Sequence, residues 1–212
     1  MNILIMQPKL EESILQLEKV LKSNANVDMV IFPEGYLNEN VEQACQLAKD
    51  TRTILVGGYR RMSDHPKDYA VLIGADGHVC IDRQKYTKTQ IATVEGLRIG
   101  HILCDELLLQ GLKKEPNQLL DLIVHPIGVG MYSIEQFNEW IGKAKEIAVN
   151  HQVMVIGVSH ANGIFKGADQ SIPIAYCLNS DGGSVFVAQN DTRTRLVDLT
   201  TKKVSILEEL TQ

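Results

Sequence analysis

Glu34, Lys85 and Cys104 are a carboxylate, an amine and a thiol, and each stands at the end of a run that reads as a strand. Glu34 closes Val30-Ile31-Phe32-Pro33-Glu34, Lys85 closes Arg83-Gln84-Lys85, and Cys104 opens Cys104-Asp105-Glu106 after the apolar run Leu97 to Leu103. Brought together, a carboxylate, an amine and a thiol could form one thiol active site. Strand ends suit such a site, because the sheet holds the side chains rigidly while the following loops leave room for a ligand.

Taken singly, Cys104 lies between an apolar strand and the start of a helix, where peptide N–H groups stabilise a thiolate and can bind an oxyanion. Cys45 and Cys177 lie on apolar faces and read instead as small buried hydrophobes. Glu34 follows four apolar or ring residues, so partial burial is expected to raise its pKa and make it a useful proton acceptor. Lys85 is placed to stabilise a tetrahedral oxyanion, helped by the backbone N–H of Asp105. Lys88, three residues on, competes for that role.

The elements that must position these groups can be read along the chain. Its 212 residues, 44% hydrophobic and 22% charged, fit one domain over 1–212 with a sizeable core. A net charge of −5 gives no basic footprint, so a small molecule is expected as partner, not nucleic acid or an anionic membrane. The chain enters a strand-like run at Ile3 with no leader pattern, and no stretch approaches the ~20 apolar residues of a membrane span, which leads to a cytoplasmic expectation. The four cysteines form no C-x-x-C pair and are expected to be reduced. Strands are predicted at 3–6, 27–32, 54–57, 97–103, 122–124 and 153–158, with helices at 10–23, 39–50, 106–114 and 135–150. Asp76-Gly77 predicts an antiparallel hairpin between 70–73 and 79–83, and the tail from Ile174 reads as strands alone. The fold class is therefore α/β with a mixed sheet.

The chain resembles the nitrilase, or carbon-nitrogen hydrolase, superfamily over nearly its whole length. The opening strand ending in Gln7, Val30 to Glu34, the Asp76-Gly77 hairpin leading to Arg83-Gln84-Lys85, Gly100 to Glu106, and Trp140 through Ala144 to Asn150 carry the likeness in the family's order. The resemblance implies an α-β-β-α sandwich with two mixed sheets, a Glu34-Lys85-Cys104 triad, no metal or organic cofactor, and pairing into a homodimer. In the implied mechanism Glu34 takes the thiol proton, Cys104 attacks, an amine or ammonia leaves, and water releases the acid. Register with the family's strand-terminal lysine favours Lys85 over Lys88. The segment Arg193 to Leu207 is expected to be exchanged between subunits or to lie at their interface.

Departures from the family pattern shape further expectations. The family's longer loop between lysine and cysteine carries a second glutamate; here eighteen residues, 86 to 103, separate them, and Glu95 is the one carboxylate available. Asp105 replaces the aromatic residue often found after the nucleophile, which favours an amidase over a nitrilase, and its side chain is expected to point away from the thiol. Gly128, Met131 and Tyr132 are the expected substrate-pocket residues, with Phe137 and Trp140 nearby. His101, His125 and Trp140 read as core. The expected activity is hydrolysis of a small non-peptide amide; a catalytically silent relative that binds a small ligand or partner protein is the alternative.

Overall fold

The structure, a computed structural model, describes residues 1–113 and 119–207. The first half alternates β1 (Asn2–Ile5), α1 (Leu15–Ser23), β2 (Met29–Ile31), α2 (Val41–Thr51) and β3 (Ile54–Arg60), then turns through β4 (Asp68–Ile73) and β5 (Val79–Gln84). A second set follows: β6 (Gln90–Val94), β7 (Leu97–His101), α3 (Glu106–Leu109), β8 (Leu122–Pro126), α4 (Ile134–His151) and β9 (Val155–Val158). The chain closes with β10 (Ile174–Leu178), β11 (Ser184–Gln189), β12 (Arg195–Asp198) and β13 (Val204–Ile206).

Among the described residues thirteen strands divide into a seven-stranded sheet, β13-β12-β1-β2-β3-β4-β5, and a six-stranded sheet, β11-β10-β9-β8-β7-β6. Each has a parallel centre, β1-β2-β3 in one and β7-β8-β9 in the other, flanked by antiparallel strands. The two-residue period of a strand explains how the sheets stack. Ile3, Met29, Val56 and Leu72 of the first sheet meet Leu122, Val124, Ile156 and Ala175 of the second in one core between them. Their neighbours Leu4, Val30, Leu55 and Val71 face the other way, onto α1 and α2. On the far side, Ile123, Val155 and Tyr176 face Phe137, Trp140, Ala144 and Ile147 of α4. Apolar residues on both faces of the central strands thus require helices outside both sheets. The result is the expected α-β-β-α sandwich with two mixed sheets.

The helices start where their caps and burial dictate. α4 is capped by Ser133, whose side chain accepts from the Gln136 N–H at 3.2 Å, and ends at Gln152 in the left-handed region. α1 begins at Leu15 and not at Leu10: the Leu10 side chain is exposed and its N–H is taken by Asn162 Oδ1 at 2.8 Å, which holds the segment as a loop. α3 stops at Leu109, four residues long, and Lys114 of the expected 106–114 helix lies outside the described residues. β6 was not expected. It pairs with β7 through Glu95-Gly96, both at positive φ (+48° and +79°), the backbone of a type I′ hairpin turn. The tail is docked on its own chain, β12 antiparallel to β1 and β13 on β12, so within the subunit 193–207 forms the sheet edge. Among the described residues no helix is long and apolar enough to cross a membrane.

Candidate active site

Strand direction brings the three chemical groups to one end of the sandwich. β2 leads to Glu34 and β7 to Cys104; β5 runs the same way as β3, because two antiparallel steps restore direction, and so delivers Lys85 to that end as well. Glu34 and Lys85 are both buried, with 5% and 8% exposure, and Lys85 Nζ is 2.8 Å from Glu34 Oε1. The Cys104 thiol and the same carboxylate shift each other's pKa, which places the thiol beside it. One carboxylate therefore pairs with the amine and lies beside the thiol, and the three predicted residues form one cluster.

Burial sets the charges. Desolvation raises the pKa of Glu34 against the opposing pull of Lys85, so it holds protons more tightly than an ordinary carboxylate. Desolvation first, then the neighbouring Glu34 charge, push the Cys104 thiol well above its usual range, while Lys85 and the Gly128 N–H oppose them. The resting nucleophile is thus a neutral thiol with a proton for a base to take: α3 is a single turn, and a carboxylate lies beside the sulfur. Activation must come from proton transfer to Glu34. Desolvation works against the charge on Lys85, but the Glu34 and Asp105 carboxylates beside it outweigh that burial and hold it as an ammonium.

Cys104 adopts φ +51°, a left-handed conformation that costs a non-glycine residue about 1 kcal/mol or more and is held only where neighbours enforce it. The enforcing contacts are on both sides of its peptide. The Cys104 N–H donates to Pro126 O at 2.8 Å, and His125 Nε2 lies 2.7 Å from Cys104 O. A carbonyl can only accept, so Nε2 carries the hydrogen and His125 Nδ1 accepts from the Tyr176 hydroxyl. Burial lowers His125 to a pKa of about 4 and His101 to about 3, so both are neutral near pH 7. His101 Nε2 bonds Gly57 O at 2.9 Å, a core contact, and His125 is a core residue that also braces the nucleophile.

Gly128 lies against the cluster: a Cβ there would sit 2.5 Å from Glu34 Oε2, so the close approach of this loop to the carboxylate requires glycine. Met131 is buried in the core with α4, and Tyr132 is an exposed rim residue 6.3 Å from the ring of Phe165. Trp140 is buried and stacked on His125 at 5.5 Å. Lys88 is exposed beyond the end of β5, and Cys80 is exposed on β5, outside the cluster.

Two expectations about carboxylates are corrected. Glu95 is an exposed residue of the β6–β7 turn, beside Met1, Asp28 and Ile54 at the opposite end of the strands. From Leu97 to Cys104 the chain covers seven residues of extended backbone, roughly 23 Å, so Glu95 does not join the cluster. The short stretch 86–103 is consumed by the hairpin. Asp105 does not turn away from the cluster as expected: its Oδ1 is 2.8 Å from Lys85 Nζ, drawn inward by the ammonium.

Sequence reasoning missed the role of Glu106. It is fully buried, makes a two-point ion pair with Arg83 at 2.7 and 2.6 Å, and accepts from the N–H of Leu103 (2.8 Å) and of Tyr86 (2.7 Å). Those two peptides precede Cys104 and follow Lys85, so one carboxylate ties the nucleophile's strand end to the lysine's across the two sheets. The available signal was an arginine two residues before Lys85 and a glutamate two after Cys104. Glu106→Gln leaves the buried Arg83 charge without its counter-ion and is expected to cost about 3–5 kcal/mol, lowering the melting temperature by roughly 10 °C. Calorimetry of the variant measures this; a loss under about 1 kcal/mol would show that the pair does not tie the sheets. Among the described residues no group of three or more His, Cys, Asp or Glu side chains is placed to hold a metal ion.

No protein-family model matches the sequence, and no curated protein matches it in sequence. Solved structures do match its fold. A carbon-nitrogen hydrolase from Helicobacter pylori G27 superposes with a TM-score of 0.73 at 13% identity, covering 95% of this chain and 90% of that one. XC1258 from Xanthomonas campestris, a CN-hydrolase superfamily protein with an arsenic adduct in its active site, gives 0.71 at 11% identity over 95% and 91%. The amidase from Nesterenkonia sp. AN1, in a mutant carrying the acetamide moiety of fluoroacetamide on its active-site cysteine, gives 0.69 at 12% identity over 94% and 90%. The chain has the fold of the carbon-nitrogen hydrolase, or nitrilase, superfamily.

Proposed function

We propose that this chain, built on the carbon-nitrogen hydrolase fold, is a cysteine hydrolase of small non-peptide amides. The observation that carries the reading is one buried carboxylate, Glu34, paired with the Lys85 ammonium at 2.8 Å in the same cluster as the Cys104 thiol. Glu34 takes the proton of Cys104 as the sulfur attacks the carbonyl carbon; the C–S bond forms and the carbonyl electron pair moves onto oxygen. Lys85 and the Asp105 N–H stabilise that oxyanion without giving up a proton. As the oxygen pair returns, the C–N bond breaks, and Glu34 hands its proton to the departing nitrogen. Water then attacks the thioester while Glu34 takes its proton; as the C–S bond breaks, Glu34 returns that proton to the sulfur, and the acid and the free thiol are released.

Only a base with an elevated pKa can both accept a thiol proton and return it to an amine near neutral pH, which is what burial gives Glu34. Ammonia release from a panel of aliphatic amides and nitriles tests the reading. Turnover of amides ahead of nitriles supports it. A wild-type signal equal to that of Cys104→Ala across the panel would replace it with the silent, ligand-binding alternative. The active form is proposed to be a homodimer, with the edge formed by β12 and β13 at the interface. Light scattering at micromolar concentration is expected to give twice the chain mass, and a monomer that persists on concentration would contradict this.

A further inference from the structure

Lys85 has a carboxylate on each side, and the two are not alike. Glu34 is buried, whereas the Asp105 side chain is 38% exposed, and each places an oxygen 2.8 Å from the ammonium. Among the described residues neither facing oxygen, Glu34 Oε1 or Asp105 Oδ1, has another hydrogen-bond donor, so Lys85 alone balances both. The second oxygen of Asp105 accepts from the Tyr86 hydroxyl at 2.9 Å, and the Tyr86 ring lies 5.1 Å from Lys85 Nζ. The residue after the lysine and the residue after the cysteine thus bond to each other around the ammonium. Positive φ at both Cys104 (+51°) and Tyr86 (+67°) accompanies this arrangement of consecutive side chains on one cluster.

The difference between the carboxylates matters when a proton moves. A base that takes the thiol proton becomes neutral at the moment the oxyanion forms, so Glu34 stops holding Lys85 when Lys85 is needed most. We propose that Asp105 is a positioning residue of this reaction, keeping Lys85 charged and aimed at the substrate oxygen while Glu34 is protonated. The inference rests on the acyl-transfer reading above and deepens it: one carboxylate carries the proton and the other keeps its charge throughout. Asp105 gains and loses no proton in the cycle, and the thiol proton passes only to Glu34 and on to the leaving nitrogen.

Asp105 also acts on the base. The charged and titratable groups facing Glu34 are Lys85, Cys104 and Asp68; those facing Lys85 are Cys104, Glu34, Asp105, Tyr86 and the neutral His125. Removing the Asp105 charge leaves Lys85 wholly to Glu34 and takes away a nearby negative charge, and both effects lower the pKa of Glu34. The acid limb of kcat/KM, which reports the base of the free enzyme, must then move to lower pH.

Steady-state kinetics of Asp105→Asn and Asp105→Glu from pH 4 to 9 test the proposal on the full chain. Asp105→Asn is expected to lower kcat by about 10–100-fold, as for a misplaced catalytic group, with KM changed far less, and to shift the acid limb downward. Asp105→Glu is expected to recover part of the loss. Should Asp105→Asn fail to fold, Tyr86→Phe removes only the hydroxyl that anchors Asp105; it is expected to give a smaller fall in kcat with KM unchanged. Full kcat in Asp105→Asn, a fall without movement of the acid limb, or full kcat in Tyr86→Phe where only that variant is measurable, would overturn the proposal while leaving the hydrolase reading intact. A wild type no more active than Cys104→Ala would instead bring down the hydrolase reading itself.

Discussion

Cys104→Ala is expected to reduce amide turnover by about 10⁴-fold or more, with the fold retained. Alanine removes the one atom that can bond to the acyl carbon, and nothing else in the cluster can take its place: Glu34 and Lys85 are engaged with each other, and Cys80 is exposed outside the cluster. The backbone at this position is held by contacts that alanine keeps, namely the bonds to Pro126 O and His125 Nε2. The variant is therefore expected to lose chemistry and keep structure. Ammonia release together with a circular dichroism melt separates the two; a loss of activity accompanied by unfolding would not identify a nucleophile.

Lys85→Ala carries the second largest expected effect, about 10²–10³-fold in kcat, the range for loss of one oxyanion donor in a water-poor site. Two things are lost together, the ammonium facing the developing oxygen and the counter-ion of a buried Glu34. The second loss raises the Glu34 pKa further, since burial then acts without its main opposing charge, so the acid limb of the variant must lie at higher pH than in the wild type. That is the opposite direction from Asp105→Asn, which makes the pair of variants diagnostic. Lys88→Ala, beyond the end of β5, is expected to do far less. Glu95→Gln, in the turn at the opposite end of the strands, is expected to keep full activity. A larger loss in Lys88→Ala than in Lys85→Ala would exchange their roles.

Much of this architecture was legible because it depends on local alternation. Ile3 and Ile5 against Leu4, or Met29 and Ile31 against Val30, announce strands covered on both faces, and Asp76-Gly77 announces its hairpin. Glu34, Lys85 and Cys104 were legible for the same reason, each ending a readable strand. β6 was not, because Gln90–Val94 is an edge strand in which Val94 alone is fully buried, and such a strand carries little periodicity. Its turn, Glu95-Gly96, carries the one carboxylate between Lys85 and Cys104, which in the sequence reads equally as a second, lysine-orienting glutamate. The side chains of Asp105 and Glu106 were illegible for a different reason. Their partners, Lys85 and Arg83, lie some twenty residues away on the other sheet, and only the stacking of the two sheets decides which charges meet.

The central claim is a covalent bond between substrate carbon and Cys104, and mass spectrometry of the acid-quenched protein during turnover of a small amide measures it directly. The expected result is a mass increase equal to the acyl group, mapped to the peptide that contains Cys104, sensitive to hydroxylamine as a thioester, and missing from Cys104→Ala. Ammonia release with no adduct on that peptide, or with the acyl group on another residue, would contradict it.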